Sequence, residues 1–111
     1  MGILDRRFDK KEFKLKRNYE IDDTLYQRLQ EQARLYDATL TDLINVCIQQ
    51  LIETENITLF EQARHDASST HSLSIRESNL AGLENLKDRF GVSIYKLVNI
   101  AIKNVLDELE P

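Results

Sequence analysis

The second half of the chain repeats the first at an offset of 54 residues, and the best-preserved repeated segment is a helix too apolar to stand alone. Sliding by that offset pairs Leu40 with Ile94, Leu43 with Leu97, Ile44 with Val98, Val46 with Ile100, Cys47 with Ala101, Ile48 with Ile102, Leu51 with Val105 and Ile52 with Leu106. Apolar meets apolar throughout, and Asn45 meets Asn99 between them. A surface helix needs one apolar stripe, whereas these residues cover far more and demand burial on more than one side. One strand and one short helix cannot cover such a surface. The partner it needs is its own second copy, and burying eight such side chains at roughly 1.5–3 kcal/mol each outweighs any single polar contact.

The elements before this helix recur too. Phe13 to Ile21 alternates: Phe13, Leu15, Tyr19 and Ile21 are apolar, while Lys14, Lys16, Asn18 and Glu20 are polar, and only Arg17 interrupts the apolar face. That is a strand at period two. Leu73 and Ile75 repeat Tyr19 and Ile21, with Thr70, Ser72 and Ser74 in the places of Lys16, Asn18 and Glu20. Asp22 or Asp23 then starts a helix running to about Tyr36, with Leu25, Leu29, Ala33 and Tyr36 on one face. Tyr36 and its counterpart Phe90 read as core. A break at Asp37 and Ala38 precedes Thr39, which with Asp42 resembles a capping box and opens the apolar helix over about Leu40 to Glu53. Gly91 stands opposite Asp37, where a helix end favours a left-handed residue. The repeat is weaker in the first helix (Leu25/Asn79, Ala33/Lys87, Gln32/Leu86), and Gly82 costs the second copy about 1 kcal/mol relative to Ala.

Composition narrows the class. The 111 residues, with 31% charged and 41% hydrophobic, three Gly and one Pro, suit a soluble helix-rich protein of one compact domain. No apolar run approaches a membrane span and the amino terminus has no signal core, so a cytoplasmic location is expected. Net charge is −4, unevenly spread: residues 1–17 hold seven basic side chains (Arg6, Arg7, Lys10, Lys11, Lys14, Lys16, Arg17) against three acidic ones, a net of +4 that leaves −8 elsewhere. A basic arm running into the polar face of a strand suits a nucleic-acid contact, and a solvated charged tail looks much the same.

Strand, helix, small-residue break, Ser/Thr-capped start and a helix of pattern L-[IV]-N-x-[AC]-I-x-x-[LV] together resemble the ribbon-helix-helix superfamily of Arc and MetJ. The resemblance covers residues 13–53 and 70–109, with residues 1–12 as a basic arm and 54–69 as a connector whose Ile57, Phe60 and Ala63 have the spacing of a short helix. It implies a mainly α fold with a two-stranded antiparallel β-ribbon, in which two tandem repeats form an intramolecular pseudo-dimer. The connector must return roughly 25 Å along the apolar helix, and its residues reach about 50 Å when extended. Two chains exchanging halves satisfy the same pattern.

The resemblance also implies a function: double-stranded DNA bound in the major groove by the polar face of the ribbon, by a transcriptional repressor or by a plasmid relaxosome or partition factor. Carried over by position, Lys14, Lys16, Asn18, Glu20, Thr70, Ser72 and Ser74 become candidates for reading bases. Thr39, Leu40, Thr41, Ser93, Ile94 and Tyr95, at the starts of the apolar helices, become candidates for gripping phosphate, with Arg6, Arg7, Lys10, Lys11 and Arg76. The departures are Glu20, where a basic or amide residue is usual, and a second strand without cation or amide at its reading positions, so the target is expected to be asymmetric. Self-association on DNA is expected, with no membrane or small-molecule partner and no cofactor. The alternative is a helical protein-interaction module with a basic tail and no specific DNA site.

Nothing in the sequence arranges groups for catalysis. Cys47 aligns with Ala101 and reads as a small core residue. His65 and His71 lack the spacing of a metal site, and Gly2, Gly82 and Gly91 are isolated. Asn45 and Asn99 fit either a buried hydrogen bond or solvent.

Overall fold

A computed structural model describes residues 13–59 and 67–110. The described residues are mainly helical, with a two-stranded antiparallel sheet and four helices among them. Strand β1 spans Lys14–Asp22, α1 Asp23–Leu35, α2 Leu40–Thr54, β2 Ser68–Arg76, α3 Glu77–Phe90 and α4 Ile94–Leu109. β1 and β2 pair within the one chain, with Asn18 opposite Ser72 at the centre and Lys14 opposite Arg76 at one end. Two backbone hydrogen bonds, Glu77 N–H to the Phe13 carbonyl and Asp23 N–H to the Ala67 carbonyl, carry the pairing one step beyond each end. The expected connector helix falls partly on residues 60–66, outside the described residues, and residues 55–59 are not helical.

Each local boundary has a chemical cause. Asp22, and not Asp23, caps α1: its carboxylate accepts from Leu25 N–H at 3.1 Å. Thr39 and Ser93 cap α2 and α4 by accepting from Asp42 N–H and Lys96 N–H. Asp37 and Gly91, the matched residues after α1 and α3, both adopt left-handed backbone, at φ 54° and 66°. Only the glycine does so without steric cost.

The interior is built between the halves. α4 packs against β1, α1, α2 and α3, and α2 packs against β2, α1, α3 and α4. On α4 the apolar residues Leu97, Val98, Ile100, Ala101, Ile102, Val105 and Leu106 are all buried, as are Ile44, Cys47, Ile48 and Leu51 on α2. Burial pushes the Cys47 thiol up to about 12, so the group stays protonated and inert.

Three sequence expectations need correction. Tyr36 and Phe90 are not core: at 62% and 44% exposure they lie at the ends of their helices, past the last residues packed on the partner layers. Phe90 instead meets the Arg89 guanidinium, 5.1 Å from its ring centre. Val46 is 50% exposed although its counterpart Ile100 is 1% exposed, so this position of α2 faces water while the matching position of α4 faces the core. Gly82 is no mere propensity defect. A Cβ there would collide with the Ile52 side chain, with Cγ1 at 2.8 Å, so the glycine admits the close approach of α2 to α3.

At the far ends of the helices, ion pairs tie the halves together. Arg89 reaches Glu55 at 2.6 Å, and Glu110 accepts from Arg28 at 2.9 Å and Gln32 at 2.8 Å. The hydrogen bonds from Arg89 hold the Glu55 carboxyl below its ordinary range, so the pair stabilises the fold above that range and the contribution is lost as pH falls through the folded value.

Two predictions follow from these contacts. Asp37→Gly removes left-handed strain and should raise stability by about 1 kcal/mol, read as a higher thermal midpoint, with Gly91→Ala lowering it by a similar amount. The thermal midpoint of the natural protein should exceed that of Glu55→Gln at neutral pH, and the difference should shrink as pH falls below the ordinary carboxylate range.

Candidate nucleic-acid interface

The alternation of β1 and β2 sorts their side chains into two faces. Tyr19, Ile21, Leu73 and Ile75 are buried against the helices, while Lys14, Lys16, Asn18, Glu20, Thr70 and Ser72 are exposed and Ser74 is half-buried. All seven side chains expected to read bases therefore share one outward face, because they share one parity in a single register. Arg76, expected as a phosphate contact, is the last residue of β2 and sits directly across from Lys14. Arg17 has inward parity yet stays exposed. It donates to the Lys16 carbonyl at 3.0 Å and lies near enough to Tyr19 to oppose the rise that burial imposes on that phenol.

Glu20 is not a free carboxylate: the Ser68 hydroxyl donates to it at 2.9 Å. The Ser69 hydroxyl likewise donates to Asp23 at 2.8 Å. Among the expected phosphate contacts, Thr39, Ser93 and Tyr95 are exposed and Leu40, Thr41 and Ile94 half-buried, all within the first turns of α2 and α4. Arg6, Arg7, Lys10 and Lys11 lie outside the described residues.

Two buried amides fix the ribbon to the helix starts, each reaching across to the other half. Asn45 on α2 donates to the Ser74 carbonyl at 3.0 Å and accepts from Arg76 N–H at 2.9 Å. Asn99 on α4 donates to the Glu20 carbonyl at 3.0 Å and accepts from Asp22 N–H at 2.9 Å. Each also donates to its own helix, to Thr41 and Tyr95 carbonyls. The start of α2 is thus pinned beside the Lys14–Arg76 end, and that of α4 beside the Glu20–Asp22 end. Asn79 adds a further donation to Asn45 at 2.9 Å, a contact its counterpart Leu25 cannot make. The matched Asn45 and Asn99 were visible in the repeat as positions, but their partners depend on which strand crosses which helix.

Lys96 was missed by sequence reasoning. It occupies the position matching Asp42, in the first turn of α4, and is exposed. His71 stacks on Tyr26 with ring centres 3.6 Å apart, and its Nε2 is buried without a hydrogen-bond partner. No group of three or more His, Cys, Asp or Glu placed to hold a metal occurs among the described residues. Nor is any helix among them long and apolar enough to cross a membrane. No family model, curated protein or solved structure matches the chain.

Replacing Asn99 with Ala should leave the Asp22 N–H and Glu20 carbonyl buried without partners, at a cost of roughly 1–3 kcal/mol. Hydrogen exchange at the Asp22 amide should accelerate far more than at mid-helix amides of α2; equal acceleration at both would show global loosening in place of a local clamp.

Proposed function

We propose that the chain is a tandem ribbon-helix-helix pseudo-dimer that binds double-stranded DNA, laying the outward face of its β-ribbon in the major groove. The observation that carries this reading is the shared outward placement of Lys14, Lys16, Asn18, Ser72, Ser74 and Arg76 on a ribbon whose other face is the roof of the core. A two-stranded ribbon has the width to enter a major groove, and these side chains carry the chemistry its base edges require. Lysine or arginine donates to guanine, asparagine pairs with adenine and serine serves either. The first turns of α2 and α4, fixed to the ribbon by Asn45 and Asn99, offer unpaired N–H groups to flanking phosphates.

The role in the cell that suits such a protein is transcriptional repression or plasmid DNA processing, both of which use a compact binder of a short duplex site without catalysis. The basic side chains of residues 1–12 join the ribbon at Phe13, next to the Lys14–Arg76 end, and add sequence-independent attraction.

Retention on a pool of random 20-base-pair duplexes tests the reading. Binding should weaken steeply with salt, with a log–log slope of about −0.9 for each phosphate neutralised. Lys16→Ala and Asn18→Ala should each lower affinity for selected duplexes about tenfold, consistent with loss of one base contact, at unchanged circular dichroism. Retention that ignores both substitutions would remove the ribbon as the reader, and no retention at any salt would favour a protein-binding helical module.

A further inference from the structure

The antiparallel register divides the outward face into two ends, and each end draws on both halves of the chain. At the first, Lys14 faces Arg76 and Lys16 faces Ser74; at the second, Glu20 faces Thr70 and Asp22 faces Ser68. Because the repeat offset places Asn18 on Ser72, and these two residues are themselves paired, the operation that exchanges the halves also exchanges the ends. Lys14, Lys16, Ser74 and Arg76 therefore map onto Ser68, Thr70, Glu20 and Asp22. The charge asymmetry is thus not between a strong strand and a weak one, as the sequence suggested. It lies between the two ends of the ribbon.

The first end presents three cations, with Glu77 the acidic residue beside them at the start of α3. The second presents none. Its Glu20 is held by Ser68, its Asp22 is buried as the α1 cap, and Asp23 lies next to it. Near a polyanion this difference opposes close approach of the second end. The helix starts run the other way: Asp42 lies in the first turn of α2, beside the cationic end, and Lys96 in the first turn of α4, beside the acidic end.

We infer that this protein reads its duplex with one end of the ribbon and only holds it with the other. The inference rests on the duplex binding proposed above. Lys14, Lys16, Ser74 and Arg76 face the bases of a single block, while the Glu20 end is held to the backbone through Lys96 and carries little base preference. The partner is a duplex with one directional, non-palindromic block, so the protein sits on it in a defined orientation.

Selection from a random 20-base-pair duplex pool with the full chain tests this. The enriched sequences should share one contiguous block and not an inverted repeat. Lys16→Ala should rewrite the block and lower affinity about tenfold, whereas Thr70→Ala should keep the block and change affinity less than about threefold. Lys96→Ala should weaken binding to every duplex alike and flatten the salt slope by about one unit. The double substitution Thr70→Lys with Glu20→Ser copies two reading positions of the first end onto the second and should turn the selected block into an inverted repeat. All four side chains are exposed, and circular dichroism checks that folding is unchanged. An inverted repeat selected by the natural protein, or equal losses from Lys16→Ala and Thr70→Ala, would overturn the one-ended reading while leaving duplex binding intact. If no duplex is enriched, duplex binding itself falls, and this inference with it.

Discussion

The structure depends on the burial of α4 among the other three helices and β1. Its Leu97, Val98, Ile100, Ile102 and Leu106 are all buried, and α1, α2, α3 and β1 pack around the helix that carries them. At roughly 1.5–3 kcal/mol for each large side chain, this burial exceeds anything a two-stranded ribbon could contribute, since an isolated ribbon is marginal in water. The ribbon is therefore a consequence of helix packing. Once α2 and α4 cross, the strands preceding the two helical hairpins lie side by side, and their apolar residues close the top of the core.

Polar groups then set the geometry that apolar packing leaves loose. A hydrophobic layer tolerates small shifts, whereas Asn45 and Asn99 fix strand backbone to helix starts through donors and acceptors at about 3 Å that fail if either element slides. Both amides are buried with their hydrogen-bonding capacity largely used, so they cost little in desolvation and confer register. The outward row from Lys14 to Glu20 and the first turns of α2 and α4 are held as one rigid surface.

Much of this was legible in the sequence because two periodicities do not overlap. Alternation of Tyr19 and Ile21 with polar neighbours can only be a strand, and the apolar saturation of residues 40–52 can only be a buried helix, so element types and the pairing of halves followed from pattern. The sequence could not show where helices run out of partners. Tyr36 and Phe90 have the right spacing for core, yet their helices extend past the packed layers and leave them exposed. Nor could it show close approach: Gly82 looks like a propensity defect until Ile52 is seen against it. The outward face was legible strand by strand, but its division into ends was not, because antiparallel pairing sets residues of opposite halves together.

Joining both halves in one polypeptide changes what the fold requires of its surroundings. Two separate copies would lose their shared core on dilution, whereas here the second half is always present at the effective concentration that the connector sets. For a chain that closes on itself, the folded state is then independent of how many molecules are present. The same linkage imposes an order of events during synthesis: α2 emerges from the ribosome before α4 exists, and the part of its apolar surface that α4 covers stays open until more than forty further residues have been made. In that interval a neighbouring nascent chain could supply the missing helix, so the length of the connector influences whether a chain closes on itself.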